Sequence, residues 1–235
     1  LGQAICCCLA AEGVHVAVNY RRNAEHAEQL ASRLQREHEV KAIALQGDVA
    51  CATDVIATFD ACVNQLGLPD VLINNAGVWP TAYVHEMTEA AWDETFAVNL
   101  KGAFLMCREA VSRWMKAGRG GRIVNVSSSA AFIGSTTGHA HYAASKAGLV
   151  NFTVSLAREV ARLGIFVNAV APGMMRTDMA HDALEKNESK YLDRIPLGRI
   201  GDPSEVANLI VFLASDRASY STGATMDASG GLLMR

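Results

Sequence analysis

The chain predicts a doubly wound α/β domain, a parallel sheet covered by helices on both faces. Short, mostly apolar runs alternate with helix-length segments along all 235 residues, the pattern of strands buried on both sides. Most of these runs lead into asparagine, aspartate, serine, glycine or proline. Polar chemistry therefore collects at the carboxyl ends of the strands, where an open α/β sheet has its crevice. No repeat, low-complexity tract or linker interrupts the alternation, and residues 1–235 read as one domain.

The elements follow in order. Gly2 to Ala11 is a helix of small and apolar residues, stopped at Glu12-Gly13. Val14 to Asn19 is a strand, Asn23 to Glu37 a polar helix, and Val40 to Leu45 the next strand, running into Gly47-Asp48-Val49. A helix from Thr53 to Leu66 leads through Gly67 and Pro69 to the strand Val71–Asn74. The alternation continues with a long helix from Glu89 to Lys116, the strand Arg122–Val126, a helix from Tyr142 to Leu163 and the strand Ile165–Val170. A helix from Pro203 to Ala214 and a last strand around Ala224–Met226 close it. Met174 to Gly201 carries no strong periodic signal and reads as a long loop of the kind that covers a site, a lid.

Bulk properties exclude several classes of function. A net charge of -3 and a pI near 6.2 give no basis for nucleic-acid or membrane-surface binding. No apolar run reaches the ~18 residues of a membrane span, and no signal peptide is visible. The six cysteines form neither Cys-x-x-Cys nor a zinc-spaced cluster with histidine, so no metal is expected. They read as small apolar fillers of a reduced, cytoplasmic protein.

The chemistry centres on Tyr142 and Lys146. Four apart on a helix, they share one face, a turn apart. An ammonium beside a phenol favours the phenolate, so Lys146 is expected to draw the tyrosine pKa below its ordinary value near 10. Ser127-Ser128-Ser129, leaving the end of a strand, would bring hydroxyls to the same place.

Asn74-Asn75-Ala76-Gly77, Asn99 within Phe96-Ala97-Val98-Asn99-Leu100-Lys101-Gly102, the serine run with Tyr142-x-x-x-Lys146, Pro172-Gly173 with Thr177, and the tail Asp216 to Gly223 occur in one order along the chain. This set closely resembles the short-chain dehydrogenase/reductase family over essentially the whole length, with a Rossmann-type fold. The family opens with a strand and a glycine-rich turn under the cofactor pyrophosphate. Here Gly2 alone matches that turn, the first residue is Leu1, and further residues are expected upstream. The absent strand would lie between the strands ending near Asn19 and Asn74.

The resemblance implies a catalytic set of Asn99, Ser128, Tyr142 and Lys146. Ser128 would polarise a substrate carbonyl, Tyr142 would transfer the proton, Lys146 would tune the tyrosine and reach the nicotinamide ribose, and Asn99 would hold a water of the proton path. Ser128 lies 14 residues before Tyr142, one more than the commonest family spacing, and Ser129 would restore it. Ser128 is the preferred reading and Ser129 stays open.

For the cofactor, the resemblance implies contacts from Gly2, Asn19, Tyr20, Arg21, Asp48, Val49, Asn75, Ala76, Gly77, Tyr142, Lys146, Pro172, Gly173 and Thr177. Asn19 is neutral where an acidic residue would select NAD, and Arg21 and Arg22 follow, which suits the 2′-phosphate of NADP. NADP(H) is therefore the expected cofactor and NAD(H) the alternative.

Trp79, Pro80, Tyr83, Ser135, Thr136, His139, Met174, Met175 and the Met179–Leu192 segment are expected around the substrate. His139 and His141 receive no role. Arg119, Arg122 and Arg162 are basic residues that could meet an acidic carrier protein or be ordinary surface charge.

The expected activity is NADPH-dependent reduction of a carbonyl, of the 3-oxoacyl type used in fatty acid biosynthesis, on a small-molecule or carrier-bound substrate. A sugar, polyol or other alcohol dehydrogenase is the alternative, and a non-catalytic dinucleotide-binding sensor the remaining one. A homotetramer is implied, packed through the Glu89–Lys116 and Tyr142–Leu163 helices and the last strand.

Overall fold

The computed structural model describes residues 1–234. Six strands, β1 (Val16–Tyr20), β2 (Ala42–Gln46), β3 (Val71–Asn74), β4 (Gly121–Val126), β5 (Ile165–Pro172) and β6 (Thr225–Ala228), are separated by helical segments. Every ladder is parallel. β1 pairs with β2, and β3-β4-β5-β6 form a second ladder in that order. Among the described residues β1 and β3 each have a strand partner on one side only. Each therefore presents an open edge where the sequence reading puts one more central strand.

The helices are α1 (Gly2–Ala11), α2 (Ala24–His38), α3 (Ala52–Leu66), α4 (Glu89–Phe96), α5 (Ala103–Lys116), α6 (Ala130–Ile133), α7 (Ala140–Val160), α8 (His181–Leu192) and α9 (Pro203–Ala214). Alternation along β4 shows how the layers form. Ile123 joins Phe59 of α3, Trp114 of α5 and Val160 of α7 in one core, while Val124 and Val126 join Ile5 of α1 and Ile210 of α9 in another. Helices thus cover both faces, as expected of a Rossmann-type sheet. Trp114 is fully buried, lies over Gly121 and donates its indole N–H to the Pro69 carbonyl oxygen at 2.6 Å.

Two departures from the sequence reading matter. The helix expected over Glu89–Lys116 is continuous but changes winding at Ala97–Gly102, a π-helical turn between α4 and α5. Such a turn inserts an extra residue and re-aims side chains. The segment expected as a loop, Met174 to Gly201, contains α8, broken at Asn187, where φ is -143°. Its apolar residues are few, but Ala180, Leu184, Ile195 and Ile200 bury one another in a small separate core. Charged residues between them hide that pattern from a periodicity reading.

Candidate active site

β3, β4, β5 and β6 end at one edge, and the chain leaving them builds the site. Ser127 and Ser129 continue the β4–β5 ladder by donating backbone N–H groups to Val170 and Pro172, each at 2.8 Å. The Ser127 hydroxyl donates to the Lys146 backbone carbonyl at 3.0 Å and ties the strand end to α7. The Ser128 side chain lines the cavity with Tyr142, its Oγ accepting the Ala130 N–H at 3.1 Å. Ser129 also lines this space but is largely buried.

Tyr142 and Lys146 lie one turn apart near the start of α7 and line the same cavity of about 450 Å³. The Lys146 ammonium donates to the Val126 carbonyl oxygen at 2.8 Å, and its Nζ is 5.8 Å from the centre of the Tyr142 ring. Burial pushes the Lys146 pKa down to about 8. Burial also lifts the Tyr142 phenol above its ordinary value, while the hydrogen bond with Ser128 pulls the other way. The sequence reading had Lys146 drawing the phenol down. In the structure desolvation of the phenol outweighs every attraction, so the shift has the opposite sign.

Asn99 sits in the π-helical turn, fully buried. Its Oδ1 accepts from the Val78 N–H at 2.8 Å, and its Nδ2 donates to the Val78 carbonyl at 3.0 Å and to the Ser145 hydroxyl at 3.1 Å. The Ser145 hydroxyl in turn donates to the Tyr142 backbone carbonyl at 2.7 Å. The Asn99 side chain thus clasps the loop after β3 and reaches α7. Sequence reasoning missed Ser145, and it expected the Ser127 hydroxyl at the site, where the structure spends it on the Lys146 backbone. Each is a small hydroxyl, and nothing in the local sequence distinguishes its structural bond from solvent exposure.

Asn75, Ala76, Gly77, Pro172, Gly173 and Thr177 border the same cavity as the Tyr142–Lys146 pair. A Cβ on Gly77 would lie 3.3 Å from Asn99 Oδ1 and 3.5 Å from Lys146 Nζ, so the bare backbone keeps that space open. Gly173 is held by a different constraint. A Cβ there would stand 2.8 Å from the Ser229 Cα, because the ends of β5 and β6 pass in contact. At the amino end of α1, a Cβ on Gly2 would meet Asn75 Nδ2 at 2.8 Å.

Asn19, Tyr20, Arg21, Asp48 and Val49 do not line this cavity. Asn19 spends its amide on the Leu45 and Gly47 carbonyls, both at 3.2 Å, which joins the ends of β1 and β2. Arg21 is 3.5 Å from the Asp48 carboxylate, with both side chains about one-third exposed. Arg22 makes no ion pair among the described residues and is exposed. Val49 packs on Gly102 at the end of the π-helical turn.

Around Tyr142 and Lys146 the walls are mostly apolar. Trp79, Ser135, Thr136, His139, Met174, Met175 and Met179 line the cavity as the sequence suggests, while Pro80 and Tyr83 do not. Tyr83 is 52% exposed, on the outside of the loop after β3. Ile133, Arg194, Ile195 and Leu232 also contribute, brought in from α6, the stretch after α8 and the carboxyl-terminal tail. Arg119 and Arg122 are engaged elsewhere, with Asp70 and Asp216.

A family model described as "Enoyl-(Acyl carrier protein) reductase" matches residues 1–233. A protein of Staphylococcus aureus (strain Mu50 / ATCC 700699) named "3-oxoacyl-[acyl-carrier-protein] reductase FabG" is 40% identical over 234 residues, covering 100% of this chain and 94% of its own. Proteins of the same name from Staphylococcus epidermidis (strain ATCC 12228 / FDA PCI 1200) and Aquifex aeolicus (strain VF5) are 39% and 38% identical. They are covered over 95% and 92% of their lengths, against 100% and 99% of this chain.

Proposed function

This chain belongs to the short-chain dehydrogenase/reductase family and is an NAD(P)-dependent oxidoreductase, and we propose that it reduces the ketone of a 3-oxoacyl thioester to the alcohol, using NADPH. The observation that carries this reading is that Ser128 and Tyr142 line one largely apolar cavity, with the Lys146 ammonium buried alongside. Two adjacent hydroxyls suit a carbonyl oxygen, because each can donate to one of its lone pairs.

The nicotinamide, when bound, supplies the hydride. The residues here fit such a group. Gly77 leaves room beside Asn99 and Lys146, and the Lys146 ammonium has two protons beyond the one given to Val126. Asn75, Ala76, Gly77, Pro172, Gly173, Thr177 and Lys146 would hold its nicotinamide half. Gly2, Asn19, Tyr20, Arg21, Asp48 and Val49 would face the adenosine half, and Arg22 with Arg21 would meet the 2′-phosphate.

On this reading Ser128 holds the carbonyl oxygen and Tyr142 gives it a proton. The raised phenol pKa keeps Tyr142 protonated at neutral pH, the state a proton donor needs. Lys146 stabilises the phenolate left behind and so favours its reprotonation. Asn99 fixes the Val78 backbone and the amino-terminal turns of α7 through Ser145, so its contribution is to positioning, beyond any water it holds.

The acyl chain would lie along Ile133, Met174, Met179 and Ile195, with α8 as part of a lid over 174–201. Acyl carrier protein appears in the names of the similar proteins, and a carrier-bound substrate is the natural extension to this chain. No helix among the described residues is long and apolar enough to cross a membrane. The likeness to acyl-carrier-protein reductases is the basis on which we place the activity in the cytoplasm. A homotetramer would cover the exposed aromatic surface of α4 and α5, where Trp92 and Phe104 are each about 40% exposed.

Absorbance-monitored NADPH oxidation with the N-acetylcysteamine thioester of 3-oxobutanoate tests the assignment. Turnover that depends on Tyr142 supports it. Absence of turnover with this thioester and with carrier-bound 3-oxoacyl substrates, while NADPH still binds, would refute it.

A further inference from the structure

His139 is the residue immediately before α7, and it is 6% exposed. Its Nδ1 lies 2.9 Å from the Pro80 carbonyl oxygen. A carbonyl oxygen only accepts, so Nδ1 carries the proton and Nε2 keeps a lone pair. Trp79 stacks on the imidazole at 4.4 Å between ring centres and meets the Tyr142 ring edge-on at 6.3 Å. A second bond, from the Ala82 N–H to the Gly138 carbonyl at 2.8 Å, joins the same two loops. The wall beside the phenol is therefore a built one, with its tautomer and ring plane both fixed.

Nε2 has no partner in the protein, and it is not among the side-chain atoms sealed from solvent without one. His139, Trp79 and Tyr142 line one cavity together, and with Nδ1 committed to Pro80 the ring nitrogen left for a ligand is Nε2. Burial lowers the imidazole pKa, which keeps the ring neutral at physiological pH. The cavity walls at Trp79, Ile133 and Met179 are apolar, and Ser135, Thr136 and Thr137 on the loop before α7 add hydroxyls to the same cavity.

We propose that His139 Nε2 accepts a hydrogen bond from the substrate and selects carbonyl compounds carrying a donor, a hydroxyl or an amide N–H, near the reacting carbonyl. The inference rests on the carbonyl-reductase reading and adds a specificity residue to it. A substrate lacking the donor would leave the lone pair desolvated and unpaired, which is the basis of strong discrimination. The donor could be a hydroxyl on the carbon chain or the amide of a pantetheine-like arm.

Two variants separate this role from the loop-joining one. His139→Asn places an amide nitrogen where Nδ1 stands, keeps the bond to Pro80 and removes the distal acceptor. His139→Gln places an amide oxygen near the Nε2 position and gives up the bond to Pro80. Each is assayed on two substrate pairs with NADPH. One pair is 4-hydroxybutan-2-one and pentan-2-one. The other is the 3-oxobutanoyl thioester of N-acetylcysteamine and its analogue with an ester oxygen replacing the amide N–H.

The expected result is that His139→Asn lowers kcat/KM by about 10–100-fold on the donor-bearing member of one pair. Its partner without the donor changes little, and His139→Gln retains the discrimination. The responding pair identifies the donor as hydroxyl or amide. Titration calorimetry of the same ligands on the NADP-loaded protein should show the same contrast in Kd. Equal losses on both members of each pair, or no change in either ratio, would overturn the proposal while leaving carbonyl reduction intact. Wild-type protein that turns over none of the four compounds would overturn both.

Discussion

The ammonium of Lys146 donates to the carbonyl oxygen of Val126 at 2.8 Å, and not to the Tyr142 phenol. The cation is thus anchored at the end of β4, inside the protein, with one strong acceptor. Burial without a carboxylate partner explains its pKa of about 8, well below the ordinary 10.5.

That shift predicts a pH dependence of stability. Between pH 8 and 10.5 the unfolded chain holds a proton on Lys146 that the folded chain has released, so stability rises with pH across this window. Relative to Lys146→Met, the wild-type protein should gain roughly 3 kcal/mol over that window. Urea unfolding of the two proteins, compared at pH 7.5, 9 and about 10.5, checks it. Parallel curves would show that Lys146 is not desolvated as described.

Tyr142→Phe removes the proposed proton donor without changing the buried ring. Turnover of the 3-oxobutanoyl thioester should fall by about 10²–10⁴-fold, with unfolding by urea little changed. A loss of only a few-fold, measured by NADPH oxidation, would point to another donor.

Ser128 and Ser129 differ in what holds them. The Ser128 hydroxyl acts on the Tyr142 phenol, whereas Ser129 is largely buried and bonded through its backbone to Pro172. Ser128→Ala should therefore cost about 10²-fold in kcat, and Ser129→Ala much less. The reverse order in steady-state kinetics would transfer the role to Ser129.

For the cofactor, Arg22 is the more informative arginine because Arg21 already faces Asp48 at 3.5 Å. Arg22→Ala should raise KM for NADPH by about 10-fold, the scale of one charge-assisted hydrogen bond, and leave KM for NADH unchanged. Equal effects on both cofactors would remove the 2′-phosphate assignment.

Gly121 tests the core. A Cβ there would lie 2.5 Å from the Trp114 ring, which is fully buried and anchored to Pro69. Gly121→Ala should destabilise the protein by roughly 1–3 kcal/mol, read as a lower urea midpoint at unchanged slope.

Much was legible before the structure. Strands show in sequence because a parallel sheet buried on both faces needs continuous apolar runs, as at Ile165–Val170, and Pro203 marks the start of α9. The family pattern was legible because its marks, from Asn74 to Lys146, sit at strand and helix starts in a fixed order. The helix in 174–201 was not, since its stability lies in a few residues that meet only when Leu184 closes on Ile195 and Ile200.

What the amino-acid sequence determined by itself, then, is the α/β class, the family and the placing of Tyr142 and Lys146 on one face of α7. Those depend on local periodicity and on motifs read along the chain. Tertiary structure alone decided the rest: the sign of the Tyr142 pKa shift, the engagement of Arg21 with Asp48, the clasp of Asn99 on Val78, and the single open nitrogen of His139. Each depends on how deeply a group is buried and which distant atom it meets, quantities that exist only once the strands and loops are packed.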